Sequence, residues 1–167
     1  MDMPAAEPLV IPGNWNFDYR YFAGDTATRF FAELRDNARI MGTRNPVTGQ
    51  VMVPARSFSD ADYVAATEWV EVGQEGRLEV FSIIATQFPG LPAPPFIIGY
   101  VTLDGADTAV LNHVTGVDLT DIDRAARQLL RQPRVRVVFK DAREGRITDF
   151  HFEVIPDTGT ATGTGAA

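Results

Sequence analysis

Hydrophobic and polar positions change period several times along this chain, and each change predicts an element. Trp15, Phe17, Tyr19 and Tyr21 take every second position, with Asn16, Asp18 and Arg20 between them, so an extended segment puts four rings on one face. Such a stripe has to be covered, either by the chain's own core or as a docking edge by another protein. From Asp25 the period becomes helical: Ala27, Phe30, Phe31, Leu34 and Ala38 share a face, Asp25 stands as N-cap, and Arg35 and Arg39 lie near the C-terminal end. Residues 42–73 sustain no period. They carry the turn signals Asn45-Pro46, Thr48-Gly49, Pro54 and Ser59-Asp60-Ala61-Asp62, which predict a small irregular module.

Beyond Gly76 the pattern is that of strands in quick succession. Residues 77–87, 96–103 and 109–117 are rich in Val, Ile and Phe and predict three strands. A helix follows, capped by Thr120, with Ile122, Ala125, Ala126, Leu129 and Leu130 as its apolar stripe until Pro133 ends it. Two last strands are predicted over 134–140 and 146–155, where Val135, Val137, Phe139 and then Phe150, Phe152, Val154 alternate, joined across a turn at Glu144-Gly145. Five strands with one intervening helix are the recipe of a small Greek-key barrel of the OB type. The expected organisation is an arm over 1–24, a helix with the irregular module over 25–73, a barrel over 74–156 and a low-complexity, disordered tail over 157–167.

Composition narrows the chemistry. The 167 residues carry 15 Lys plus Arg against 22 Asp plus Glu, a net charge of −7 that argues against an electrostatic nucleic-acid binder. Single-stranded nucleic acid is the weakest of the readings considered. The absence of cysteine excludes disulfides, thiolate metal sites and a catalytic thiol. No apolar run approaches the ~20 residues of a membrane span, and the acidic first residues do not resemble a secretion signal, so a soluble, cytoplasmic protein without a membrane partner is expected.

Candidate functional residues are few. The two histidines fall in different strands. His151 sits between Phe150 and Phe152, where a solvated barrel exterior accounts for it, while His113 lies in a strand whose polar residues could face a groove. His113 is read either as a structural, hydrogen-bonded histidine or as a proton shuttle paired with a carboxylate. Arg124, Arg127 and Arg131 recur along the second helix and are followed by Arg134 and Arg136, five cations in thirteen residues. They form either a solvated face paired with Asp121 and Asp123 or a seat for phosphate groups such as those of coenzyme A. The loop over 88–96 holds four prolines and displays Leu91 and Pro92, a stiff apolar contact for a partner or an acyl chain, or an ordinary strand connection. No nucleophile elbow, zinc-protease or phosphate-loop sequence occurs.

Taken in order, the helix segment Arg29-Phe30-Phe31-Ala32-Glu33-Leu34, the stretch 49–56, the barrel opening Gly76-Arg77-Leu78-Glu79-Val80-Phe81-Ser82 and the proline loop leading into Phe96-Ile97-Ile98-Gly99-Tyr100-Val101-Thr102-Leu103 resemble the acyl-CoA-associated OB-fold family. The resemblance spans about residues 22–155. It implies a mainly β fold with an N-terminal helix, a rubredoxin-like zinc ribbon and an OB-fold barrel. It implies also a non-catalytic accessory subunit in a hetero-oligomer with a thiolase-fold enzyme: a thiolase, an acyltransferase or a steroid side-chain aldolase. An acyl-CoA thioester is the ligand expected on that reading; a stand-alone acyl-CoA-binding protein or a hydratase-like enzyme using His113 is the alternative.

The family's zinc cysteines fall here on Asn45, Thr48, Ser59 and Asp62, none of them a thiolate, so the resemblance implies a degenerate ribbon without zinc and no firmly bound cofactor. A structural zinc contributes ~10–16 kcal/mol in isolated fingers, equivalent to roughly 400–640 Å² of apolar burial. About three buried aromatics would replace it. Trp15, Phe17, Tyr19, Phe58, Tyr63 and Trp69 are the expected candidates.

Overall fold

The computed structural model describes residues 9–156; the expected tail and the first residues of the arm lie outside them. Residues 9–24 contain no helix or strand. Helix α1 (Asp25–Asn37) buries Phe30 and Leu34 and half-buries Phe31, as its period requires. Its N-cap is Gly24 rather than the expected Asp25. Gly24 sits at φ 86°, where a glycine is unstrained, and its carbonyl accepts both the N–H and the hydroxyl of Thr28. Asp25 instead occupies the first turn, where its charge complements the positive end of the helix dipole.

The segment without a sustained period folds into two small sheets. Strands β1 (Met41–Arg44), β2 (Val51–Met52) and β5 (Glu68–Glu71) form an antiparallel sheet in the order β2-β1-β5. Between β2 and β5, β3 (Phe58–Ser59) pairs with β4 (Val64–Ala65). Strands of two to four residues cannot show a period, which is why the sequence reads as irregular there. Thr43 is fully buried, its hydroxyl donating to the Arg56 carbonyl (2.6 Å) and accepting the Arg56 N–H (2.9 Å), which ties the chain after β2 back onto β1.

Strands β6 (Glu75–Ile84), β7 (Phe96–Leu103), β8 (Val110–Thr115), β9 (Arg134–Phe139) and β10 (Phe150–Val154) close a barrel in the order β10-β8-β7-β6-β9. This is the five-stranded OB arrangement expected. Closure depends on the length of β6, which pairs with β7 from Gly76 to Ile84 and with β9 over its first three residues, its direction adjusted by a bulge between Leu78 and Val80. Helix α2 (Ile122–Leu129) buries Ala125 and Leu129. Asp121, not Thr120, caps it, accepting the Arg124 N–H at 2.9 Å, and Leu130 lies exposed beyond its end. The strand expected over 146–155 starts only at Phe150, because Ile147–Asp149 forms a 3₁₀ turn.

One core runs through all of this: Phe30 and Leu34 of α1, Val51 and Val53 beside β2, and Leu78, Val101, Phe150 and Phe152 of the barrel belong to a single cluster. Between β7 and β8, Asp107 and Thr108 bind the edge of β2. The Asp107 carboxylate accepts the Val51 N–H (2.8 Å), while the Thr108 hydroxyl accepts from the Val53 N–H (2.7 Å) and donates to its carbonyl (2.8 Å). The small sheet is therefore seated on the barrel by backbone-directed bonds as well as by burial.

Candidate functional site

Of the four positions at which the resemblance puts zinc ligands, Asn45, Ser59 and Asp62 converge through their side chains, and Thr48 joins them through its backbone N–H. Asn45, only 1% exposed, donates from Nδ2 to Ser59 Oγ (3.1 Å) and to Asp62 Oδ2 (2.5 Å), while its Oδ1 accepts the N–H groups of Val47 (2.8 Å) and Thr48 (3.3 Å). Ser59 Oγ donates in turn to Asp62 Oδ2 at 3.2 Å. A structural zinc of the ribbon type needs four thiolate or imidazole donors. Here the amide nitrogen is a donor already spent, the amide oxygen is taken by backbone, and no soft ligand is present, so the set does not fit that metal. The site is a polar knot in which hydrogen bonds join the two turns.

The rings expected to fill this place do not. Trp15, Phe17 and Tyr19 are between 64% and 87% exposed, Tyr63 is exposed at 81%, and Phe58 is exposed on β3. Of the six, only Trp69 packs against the core, with the Arg29 guanidinium 4.3 Å over its ring. Hydrogen bonds among Asn45, Ser59 and Asp62, not aromatic rings, join the two turns.

The structure places the stripe Trp15, Phe17, Tyr19 and Tyr21 outside the core. Successive rings contact one another at centroid distances of 6.2, 5.8 and 5.9 Å, and all four are exposed. The proline loop between β6 and β7 displays Phe88 and Leu91, about half exposed, and is braced by the Gln87 side chain, which donates to the Phe88 and Leu91 carbonyls. A third apolar surface was not legible in the sequence: Val80, Tyr100 and Leu111 project outward from neighbouring barrel strands. Strand alternation permits an outward apolar residue at any one of them; only the pairing register sets the three side by side.

The arginines divide. Arg134 pairs with Asp104 through two bonds of 2.6 and 2.7 Å and with Glu75 at 3.1 Å, Arg136 pairs with Glu153, and Arg124 pairs with Asp118. Hydrogen bonding to Arg134 holds the Asp104 carboxyl below the usual carboxylate range. Asp121 and Asp123 are not the partners. Arg127 and Arg131 make no ion pair among the described residues and share a surface hollow with Arg124 and Gln128. Arg131 also borders a cavity of about 290 Å³ with Arg77 and Arg134.

His113 and His151, assigned to different strands, meet at one cavity of about 350 Å³ between β8, β10 and the proline loop. Pro92 forms part of its wall and Phe150 another, and Lys140, just past β9, reaches it from the side. The Phe96 ring stacks on the His113 imidazole at 5.0 Å and 14°. Burial pushes His113 below the ordinary imidazole pKa, and the neighbouring His151 charge pushes the same way. Below the rim, the Asn112 amide donates to the Ile147 and Phe150 carbonyls (both 2.9 Å), fixing the 3₁₀ turn. His151 alternates with two core phenylalanines and so reads as exterior in the sequence. The turn and the loop, both remote in sequence from β8, are what convert that exterior into a cavity.

Asp149, 2% exposed, directs its carboxylate into the loop before the turn, accepting the N–H groups of Glu144 (3.0 Å), Gly145 (2.6 Å) and Arg146 (2.9 Å). Burial raises its pKa, and the bonds from Arg146, Glu144 and Gly145 more than offset this, leaving it below the ordinary range.

Residues 69–140 match the family described as ChsH2, C-terminal OB-fold domain. Among solved structures, a protein of unknown function from the DUF35 family of Sulfolobus solfataricus is similar at 20% identity, over 79% of this chain and 87% of that one, with a TM-score of 0.57. The Ltp2-ChsH2(DUF35) aldolase is similar at 13% identity, over 80% of this chain and 98% of that one, with a TM-score of 0.56. At such identities the likeness is one of fold. No curated protein matches the chain. The resemblance drawn from the residues is therefore matched over residues 69–140, which fold as an OB barrel similar to the ChsH2 C-terminal OB-fold domain, on a chain without cysteine.

Proposed function

We propose that this chain is a non-catalytic accessory subunit that binds and stabilises a thiolase-fold enzyme, of the thiolase, acyltransferase or steroid side-chain aldolase type, acting on acyl-CoA substrates. The observation that carries this reading is the run of four exposed rings from Trp15 to Tyr21, each touching the next edge-on or at a tilt. Left in water, that apolar area costs free energy, and aromatic anchors of this kind dominate protein interfaces. The loop bearing Leu91 and Pro92 and the outward patch at Tyr100 add contact area. The fold likeness to the Ltp2-ChsH2(DUF35) aldolase supports the partner class. On this reading Arg127 and Arg131, which share a hollow with Arg124, carry the phosphate end of the coenzyme, while Arg134 and Arg136 stay paired with acids. The alternative, a hydratase-like centre at His113, requires a carboxylate beside the imidazole, and no carboxylate lines the cavity that His113 borders.

Co-expression with a thiolase-fold chain from the same source tests the proposal. A stable complex is expected, and replacing Trp15 and Tyr19 together by alanine should weaken it ~10-fold or more while leaving the urea midpoint of the isolated chain unchanged. An unaltered affinity in that variant, or turnover of acyl-CoA esters by the isolated chain, would overturn it.

A further inference from the structure

We propose that the cavity between the proline loop, β8 and β10 is a binding site for a small carboxylate carried on an apolar body. The chain contains two histidines and one lysine, and His113, His151 and Lys140 all border this one cavity. Three nitrogen groups able to carry positive charge thus converge from β8, β10 and the end of β9, which are brought together only by barrel closure. None of the three forms an ion pair among the described residues, and no carboxylate lines the cavity.

The remaining walls are of a different kind. Phe150 and Pro92 supply apolar surface, and Phe96 holds the His113 ring in a fixed plane from behind. A volume of about 350 Å³ suits a ligand of several heavy atoms rather than a lone ion. An ammonium with two imidazoles that can take up protons, beside an apolar wall, is matched by a ligand with the same division, one anionic end and one apolar end. A planar monoanion fits one ammonium and two imidazoles better than a phosphate dianion, which would forfeit more hydration against phenylalanine and proline.

Binding should take up a proton. Burial, and then the neighbouring His151, hold the His113 pKa below the ordinary imidazole value, and an anion beside both rings acts in the opposite direction. The charged and titratable groups facing His113 are His151 from β10 and Lys140 from the end of β9. Phe96 on β7 and Pro92 from the loop bring no charge. Asp149, close enough to feel Lys140, keeps its carboxylate in the 144–146 loop. Affinity therefore rises as pH falls through the His113 pKa.

The site is a property of the barrel alone and does not rest on the accessory-subunit reading. The test accordingly uses the isolated full chain, so the failure of one leaves the other standing. Hexanoate and benzoate serve as probes, with hexanol and inorganic phosphate as comparators, followed by calorimetry and by the ¹⁵N resonances of both imidazoles. Expected are shifts of His113 and His151 together, a raised pKa for His113, and affinity for hexanoate at least ~10-fold above that for hexanol. Lys140→Met, at an exposed position, should lower carboxylate affinity ~10-fold with an unchanged urea midpoint, and His151→Gln gives a second variant outside the core. Hexanol binding as tightly as hexanoate, phosphate binding more tightly than either carboxylate, indifference to Lys140→Met, or no imidazole shift at about 10 mM probe would each overturn the proposal.

Discussion

Replacing Asn45 by alanine removes four hydrogen bonds from the centre of the knot that stands at the ribbon-ligand positions. The bond to Asp62 has an ionised acceptor and is worth about 1.5–3 kcal/mol, and the bond to buried Ser59 about 1 kcal/mol. The N–H groups of Val47 and Thr48 lie on an exposed turn where water can replace the lost acceptor, so they add little. The expected loss is about 3 kcal/mol, a large part of the 5–15 kcal/mol typical of a domain. With a urea slope near 2 kcal/mol per molar, the unfolding midpoint should fall by about 1.5 M. Trp69, on the neighbouring β5, reports the transition by fluorescence. A double-mutant cycle with Asp62→Ala should show coupling of about 1 kcal/mol or more. A midpoint change below about 0.3 M would place the substitution within the ordinary surface range and refute the reasoning. So would a wild-type midpoint lowered by a chelator, because a metal rather than hydrogen bonds would then join the two turns.

Other substitutions probe the barrel and its approaches. Asp149→Ala should cost about 2–3 kcal/mol by stripping three backbone N–H groups of their shared acceptor. Because the folded pKa of Asp149 is depressed, its contribution is full above the unfolded carboxylate value of about 3.9 and disappears as pH falls through the lower folded value. Urea midpoints measured from pH 5 downward should accordingly fall more steeply in the wild type than in Asp149→Ala, and parallel curves would count against the assignment. Gly76→Ala puts a methyl 2.4 Å from the Thr102 carbonyl oxygen and 2.9 Å from Leu103 Cα, where β6 closes on both β7 and β9. A loss of about 1–3 kcal/mol is expected by thermal or urea unfolding, and a neutral outcome would mean that the strands can separate at that point without cost.

Much of the barrel was legible because its strands are long enough to display a period. Val135, Val137, Phe150, Phe152 and Val154 alternate with polar residues and are buried as the alternation requires. The first helix was legible for the same reason. Its cap was not, since Gly24 competes with Asp25 through backbone conformation, which hydropathy does not encode. The two- to four-residue strands between Met41 and Glu71 carry no periodic signal; Thr43 and Asn45, two of the polar residues that organise them, act through bonds to distant backbone and side chains.

The five-stranded barrel, the α1 stripe, the aromatic run and the absence of thiolates could all be read from the chain, because each is a matter of residue identity or local spacing. Tertiary structure alone decided that the aromatic run stays outside, that three of the five clustered arginines are paired with acids, and that His113, His151 and Lys140 share one cavity. Those outcomes depend on which segments barrel closure brings together across the 37 residues between the two histidines. Periodicity reports which face of a strand is buried; only the register of its neighbours reports what the other face meets.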